Sequence, residues 1–243
     1  LVGCDVLPTA AHLTASMLSG AHPTMKYVQS SIRTMPYGQQ SDGSIALGSL
    51  DLLADQGKLD IISFSASSTA LEGTGKSETN TSSSLPHAAF DVVIMNPPFT
   101  RATNHERKIA NVPNPMFAAF GSSAEEQRLM GKAAERLTKG TSSHGNAGEA
   151  SIFLALADRK LKEDGTLALV MPLTLLSGSS WEKSRALLYK EYSNLILVTI
   201  AGMDGAEMSF SADTGMGECL VIGRRTKREN KRATFVILNT PPA

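Results

Sequence analysis

Phe90-Asp91-Val92-Val93-Ile94-Met95-Asn96-Pro97-Pro98-Phe99 is the stretch on which the fold of this 243-residue chain turns. Its first six residues form a short, almost uninterrupted apolar run, the pattern of a buried strand. The two prolines that follow cannot donate to a ladder, so the strand stops at Met95. Asn96 therefore stands at the carboxyl end of a strand, the position at which open α/β sheets bind ligands.

Downstream the pattern is regular. Glu149 to Lys162 has helical periodicity with Ile152, Phe153, Leu156 and Leu161 inward, Asp164-Gly165 makes a turn, and Thr166 to Met171 is an apolar strand halted by Pro172. Ser179-x-x-Glu182 has the form of a capping box opening a helix to about Lys190, and Leu195 to Ala201 is a further strand. Glu218 to Gly223 and Ala233 to Leu238 read as two final strands joined by a basic turn, Arg224 to Lys231. Upstream, Leu1 to Asp5 is a short strand ending in a carboxylate. Pro8 suits the first turn of a helix running to Leu18, which Gly20 can stop, and Ile45 to Gly48 is another short strand.

Between Ser63 and Ser84, 12 of 22 residues are Ser or Thr, too polar to pack, so a flexible loop is expected over 63–89. A second loop region is expected over 100–148. Within it Ser122-x-x-Glu125 and Ser123-x-x-Glu126 are capping-box patterns, Leu129, Ala133 and Leu137 share one helical face, and Gly140 ends that helix. Strands alternating with helices predict an α/β class with a doubly wound, mostly parallel sheet and helices on both faces.

Composition excludes several classes. With 42% hydrophobic and 19% charged residues the chain can bury a substantial core, unlike a disordered segment. The 23 basic and 23 acidic residues cancel, so any contact with nucleic acid is local or comes from other segments. Cys4 and Cys219 make neither a disulfide framework nor a metal cluster, and His12, His22, His87, His105 and His144 lack metal-ligand spacing; no metal is expected. No run approaches the length of a membrane span and no signal peptide is visible, which predicts a cytoplasmic protein without membrane contact. The chain opens on Leu1, already inside a strand-like run, as expected of a segment of something longer.

The tetrapeptide Asn96-Pro97-Pro98-Phe99 also carries a chemistry. An exocyclic amino nitrogen on a heterocycle is a poor nucleophile because its lone pair is delocalised into the ring. Two acceptors on its hydrogens, the Asn96 side-chain oxygen and the Pro97 carbonyl, favour a tetrahedral nitrogen and localise that pair. The Pro97-Pro98 unit holds the carbonyl in place without an ordering cost on each turnover, and Phe99 can stack on the base. A base inside a duplex is reached only after it swings out of the helix.

Asp91-Val-Val-Ile-Met-Asn96-Pro-Pro-Phe99 resembles the catalytic motif of S-adenosylmethionine-dependent amino-methyltransferases, the adenine-specific (N6) DNA methyltransferases in particular. Gly3-Cys4-Asp5-Val6-x-Pro8-x-Ala10-Ala11-His12-Leu13 is similar to that family's second strand. By this resemblance Asp5 would hold the cofactor ribose, and Val6 would pack on its adenine. Leu47-Gly48-Ser49-Leu50 matches the end of the third strand; Ser49 stands where the family often has an Asp, with Asp51 two residues on. Gly148-Glu149-Ala150, Asp164 to Pro172, and Trp181-Glu-Lys-Ser-Arg185-x-x-Leu188 are similar to the family's downstream half. Phe210-Ser211-Ala212-Asp213-Thr214 resembles the late segment that faces the target base, which makes Phe210 a candidate for stacking on it.

The resemblance implies one partial catalytic domain over 1–243 with a Rossmann-like class I methyltransferase fold, truncated at its N-terminus. It implies S-adenosylmethionine as cofactor, DNA as substrate, and specificity or restriction subunits as partners, as in type I modification subunits and type IIG enzymes. The family's first strand and glycine-rich turn would precede Leu1; Gly73-Thr-Gly75 has no strand before it. This piece alone is therefore expected to bind the cofactor poorly and to be inactive. Two other readings stay open. RNA guanine and protein glutamine methyltransferases use the same tetrapeptide pattern, and a non-catalytic remnant could retain the fold for assembly or binding.

Overall fold

The computed structural model describes residues 1–21, 31–54, 69–71, 77–79, 85–99, 124–201, 210, 217–226 and 232–239. They fall into two compact units: Leu1–Leu85 with Glu106–Leu137, and Pro86–His105 with Thr138–Ala243. Ser122, Ser123, Gly73 to Gly75, His22, His105 and the basic residues Lys227, Arg228 and Lys231 lie outside the described residues.

In the first unit, β1 (Val2–Asp5) leads through helix α1 (Pro8–Ala21) to β2 (Ser31–Thr34), which runs parallel to it with Asp5 beside Thr34. The junction follows from two residues. The Asp5 carboxylate accepts the Leu7 N–H (2.8 Å) and bends the chain, and Pro8 opens the helix where its missing N–H is not needed. β3 (Tyr37–Gln39) and β4 (Ile45–Leu47) form a hairpin turned at Asp42-Gly43, with Gly43 at φ +82°.

The Ser/Thr-rich stretch contributes two short strands, β5 (Thr69–Leu71) and β6 (Ser77–Thr79). They give a sheet of order β1-β2-β5-β6 that is antiparallel beyond β2. Ladder bonds are made by the backbone, and Thr suits extended structure, so a polar composition did not exclude strands. Helix α2 (Ala124–Thr138) completes the unit. Its Glu126 accepts the Gln39 N–H at 2.6 Å, and the chain leaves the helix at Gly140 with φ +82°, where glycine carries no Cβ penalty.

In the second unit, β7 (Phe90–Met95) is followed by α3 (Glu149–Lys160), β8 (Leu161–Pro172), α4 (Glu182–Glu191), β9 (Tyr192–Ile200), β10 (Glu218–Arg225) and β11 (Ala233–Leu238). The sheet order is β11-β9-β10-β8-β7. The entry to β7 is fastened to α3: the N–H groups of Ala88 and Ala89 donate to the carbonyls of Arg159 and Lys160 (2.9 and 3.0 Å), satisfying acceptors that a helix end leaves open.

Buried residues of α3 and α4, among them Leu154, Ala157 and Leu188, form one core with Val93, Leu167, Leu169, Met171, Val221 and Leu197. These strand residues share one face by register: Val93 pairs with Leu167, and Val221 with both Leu169 and Leu197. Ile94, Ala168, Ile222 and Ile196 pair in a row on the opposite face, where Ile94 is 75% exposed.

The sheet of this unit is mixed: β7, β8, β9 and β11 run one way, and β10 alone runs against its neighbours β8 and β9. β10 lies between β8 and β9, and β11 adds to the outer side of β9. Two expectations are corrected. Helix α3 stops at Lys160, since Leu161 is already extended and pairs with Phe90. Residues 162–165 then bulge out before Thr166 meets Val92, with Asp164 at φ 62° and Lys162 in an ion pair with Asp91. Finally, Ser179 caps nothing: residues 179–181 form a 3-10 turn, and Trp181, buried and with no capping side-chain bond, precedes α4. Among the described residues of this unit both helices pack on one face of the sheet, so the two-sided layering expected from the alternation is absent from them.

Candidate functional site

The catalytic candidates sit at the carboxyl edge of the second unit's sheet. Asn96 is exposed directly after β7, Pro97 is buried, and Pro98 and Phe99 are half-buried. Phe99 packs against the core cluster, which leaves only part of its ring to a ligand. β8 is parallel to β7, so its end at Pro172 lies on the same edge, and β10 is antiparallel, so its first residue does too.

The chain after β8 is held there by short bonds. Arg185 donates to the carbonyls of Leu175 (2.9 Å) and Gly178 (2.7 Å), and the Gly178 N–H donates to Thr174 (2.7 Å). Leu173 N–H donates to the Gly217 carbonyl (2.8 Å), and Phe210 N–H donates to the Glu218 carboxylate (2.7 Å). Asn96 to Phe99 and Phe210 therefore belong to one edge of one sheet. The sequence pattern marked Arg185 only by resemblance, and Glu218 only as the first residue of a strand.

The cofactor candidates lie in the first unit. Asp5 ends β1 half-buried, with one carboxylate oxygen on Leu7 N–H and its carbonyl accepting the Met35 N–H (2.7 Å). Gly48 begins a 3-10 turn, Gly48–Leu53, at φ +65°, and a Cβ there would stand 2.6 Å from Val6 Cγ1. Only glycine fits, and through that contact Val6 comes against the turn carrying Ser49 and Leu50. Ser49 is half-buried, whereas Leu50 is 4% exposed and belongs to the packed interior. The sequence pattern marked Gly48 only as the end of a strand and part of the Leu47-Gly48-Ser49-Leu50 motif; its place between a strand end and the apolar Leu50-x-Leu52-Leu53 run was the available signal for a tight turn.

Asp51 does not stand free beside Ser49. Its carboxylate folds back to accept the Leu47 N–H (2.8 Å), and burial pushes its pKa up to about 6. The unfolded carboxyl ionises near 3.8, so between those values the folded state holds more proton, and stability falls as pH rises through the window. Asp51→Asn keeps an acceptor and removes the charge. It is expected to raise the melting temperature above pH 6 and to lose that advantage below about pH 4; a thermal melt series in pH checks it, and a pH-independent difference would contradict the assignment.

Among the described residues no helix is long and apolar enough to cross a membrane, and no group of three or more His, Cys, Asp or Glu could hold a metal ion. The model of the Eco57I restriction-modification methylase family matches residues 1–204. The chain belongs to this family. No curated protein matches it.

Among solved structures it is similar to a predicted O-methyltransferase from Agrobacterium tumefaciens (14% identity over 64% of this chain and 43% of that one, TM-score 0.30). It is similar also to DrdV in a complex with DNA (18% identity, 60% and 14%, TM-score 0.43) and to the ATP-dependent Type ISP restriction-modification enzyme LlaBIII bound to DNA (14% identity, 60% and 10%, TM-score 0.39). The chain thus spans less than half the length of each of these three proteins.

Proposed function

We propose that this chain is the catalytic part of an adenine-specific DNA methyltransferase of a restriction-modification system, with both units belonging to one methyltransferase domain. The observation that carries the reading is Asn96, exposed where β7 ends beside β8, in a chain of the restriction-modification methylase family. The order β7-β8-β10-β9, with β10 reversed, is consistent with the carboxyl half of a Rossmann-like class I methyltransferase sheet.

S-adenosylmethionine would supply an electrophilic methyl group on sulfonium. The first unit's residues fit its nucleoside half: the Asp5 carboxylate has acceptor capacity for ribose hydroxyls, and Val6 over Gly48 offers an apolar surface to an adenine. In the second unit, the Asn96 side-chain oxygen and the Pro97 carbonyl accept the two hydrogens of the target amino group and turn its lone pair outward. Pro97, buried, fixes that carbonyl. Phe99 and Phe210 provide ring surface for a base swung out of the duplex, the second bonded through its N–H to Glu218 at the start of β10, a strand two spacings or roughly 10 Å from β7. DNA is the proposed partner, with specificity or restriction subunits of the same system.

The test is transfer of labelled methyl by the complete protein to DNA, ribosomal RNA and a release factor in parallel. Label in DNA at the adenine amino group is the expected result. Label in RNA or protein alone would overturn the acceptor, and no measurable S-adenosylmethionine affinity would leave a non-catalytic remnant.

A further inference from the structure

We propose that Glu218 is a positioning residue that holds Phe210 at the carboxyl edge of the sheet. The inference rests on the reading of Phe210 as a ring that stacks on the target base. Glu218 is the first residue of β10, lies beside Pro172 at the end of β8, and is completely buried. Its Oε2 accepts the backbone N–H of Phe210 at 2.7 Å.

A carboxylate removed from water so fully is a costly choice for the start of a strand, where a packed apolar side chain would serve the sheet better. The side chain must therefore do something that an apolar one cannot. A charge-assisted bond to a main-chain N–H eight positions earlier is such a task. Its anchor is rigid. β10 is hydrogen-bonded on both sides, to β8 and to β9, and Gly217 is pressed against Leu173, where a Cβ would approach Leu173 Cδ2 to 3.0 Å. A bond to the backbone of Phe210 fixes the Cα from which the ring extends and leaves its χ1 free to adapt to a base. The ordering cost of the Phe210 backbone is met on folding instead of at each base-binding event.

The experiment uses the complete protein with Glu218→Gln, which keeps an acceptor of the same reach, and Glu218→Met, which keeps the bulk and removes the acceptor. Three readouts are taken: hydrogen exchange at the Phe210 amide, kcat and KM for DNA methylation, and S-adenosylmethionine affinity. E218Q should retain amide protection and stay within a few-fold of the parent, whereas E218M should lose protection and about 10- to 100-fold in kcat, with unchanged cofactor affinity. E218M with parental protection or parental kcat would overturn the proposal.

Phe210→Ala measured beside them separates the two readings. Parental turnover in F210A overturns the base-stacking role whatever Glu218 does, while a defect in F210A without one in E218M overturns Glu218 alone. If E218M does not fold, Glu218→Asp withdraws the carboxylate by one methylene and carries the same expectations.

Discussion

Asn96→Ala in the complete protein is expected to lower methyl transfer by at least 10²- to 10³-fold, about the loss seen when one preorganised polar contact to a reacting centre is removed. In the proposed role its acceptor is needed most when the amino nitrogen becomes tetrahedral, so the defect should fall on kcat rather than on KM. Two facts keep the experiment clean. Asn96 is exposed at the end of β7, so truncating it opens no cavity, and the melting temperature should stay close to the parent's. Asn96 is not among the cofactor candidates Asp5, Val6, Ser49 and Leu50, so calorimetric S-adenosylmethionine affinity should be unchanged. Turnover at the parental rate in the alanine variant would remove Asn96 from the mechanism, and with it the chemical reading of the tetrapeptide.

Arg225→Ala is expected to have the largest effect on stability. Arg225 lies 3.3 Å from the Asp158 carboxylate through Nε and donates to the Leu161 carbonyl at 2.6 Å, while the Tyr192 hydroxyl donates to the same Asp158 oxygen at 3.0 Å. One guanidinium thus ties β10 to α3 and to the first residue of β8. Burial raises the Asp158 pKa, Arg225 and the tyrosine hydrogen bond oppose that rise, and burial with the nearby carboxylate pushes the Tyr192 hydroxyl well above its ordinary range.

Removing the arginine leaves a desolvated carboxylate without its counter-charge. The pair is about a fifth exposed, so the loss should be about 2–3 kcal/mol, below the range for fully buried pairs, or roughly 5–10 °C in melting temperature. The pH dependence has a definite sign. Because the folded Asp158 pKa is raised, ionising it costs stability, and without Arg225 it rises further. The destabilisation should therefore be full near pH 7–8 and shrink as the pH falls toward that of an ordinary carboxyl. Urea unfolding at the two ends of that range checks it; a defect that grows in acid would show that the ion pair is not the cause.

Much of the second unit was legible in local patterns. The apolar runs at Phe90–Met95 and Thr166–Met171 became β7 and the main part of β8, and Glu149–Lys160 became α3. These segments carry their own signals, because a run of apolar residues bounded by proline, glycine or Asp-Gly has few structures that bury it. The polar strands were not legible. Ser31–Thr34 becomes β2 only because β1 lies beside it, and Thr69–Leu71 and Ser77–Thr79 read locally as loop. Ser179 shows the converse, a capping pattern present in sequence and unused in structure.

The candidate site divides in the same way. Asn96, the two prolines and Phe99 were nameable from ten consecutive residues, because strand, stop and functional group are contiguous there. By itself the sequence determined the family, the α/β class and the tetrapeptide on which the proposed chemistry depends, since each is written in residues that are neighbours along the chain. Tertiary structure alone decided that β10 runs backward between β8 and β9, that Gly48 admits Val6, that Arg225 braces Asp158, and that Glu218 reaches Phe210. These are pairings between residues up to 67 positions apart (158 to 225). A hydrogen bond or ion pair of that kind has no local signature, because its energy exists only once the sheet has brought both partners to one place.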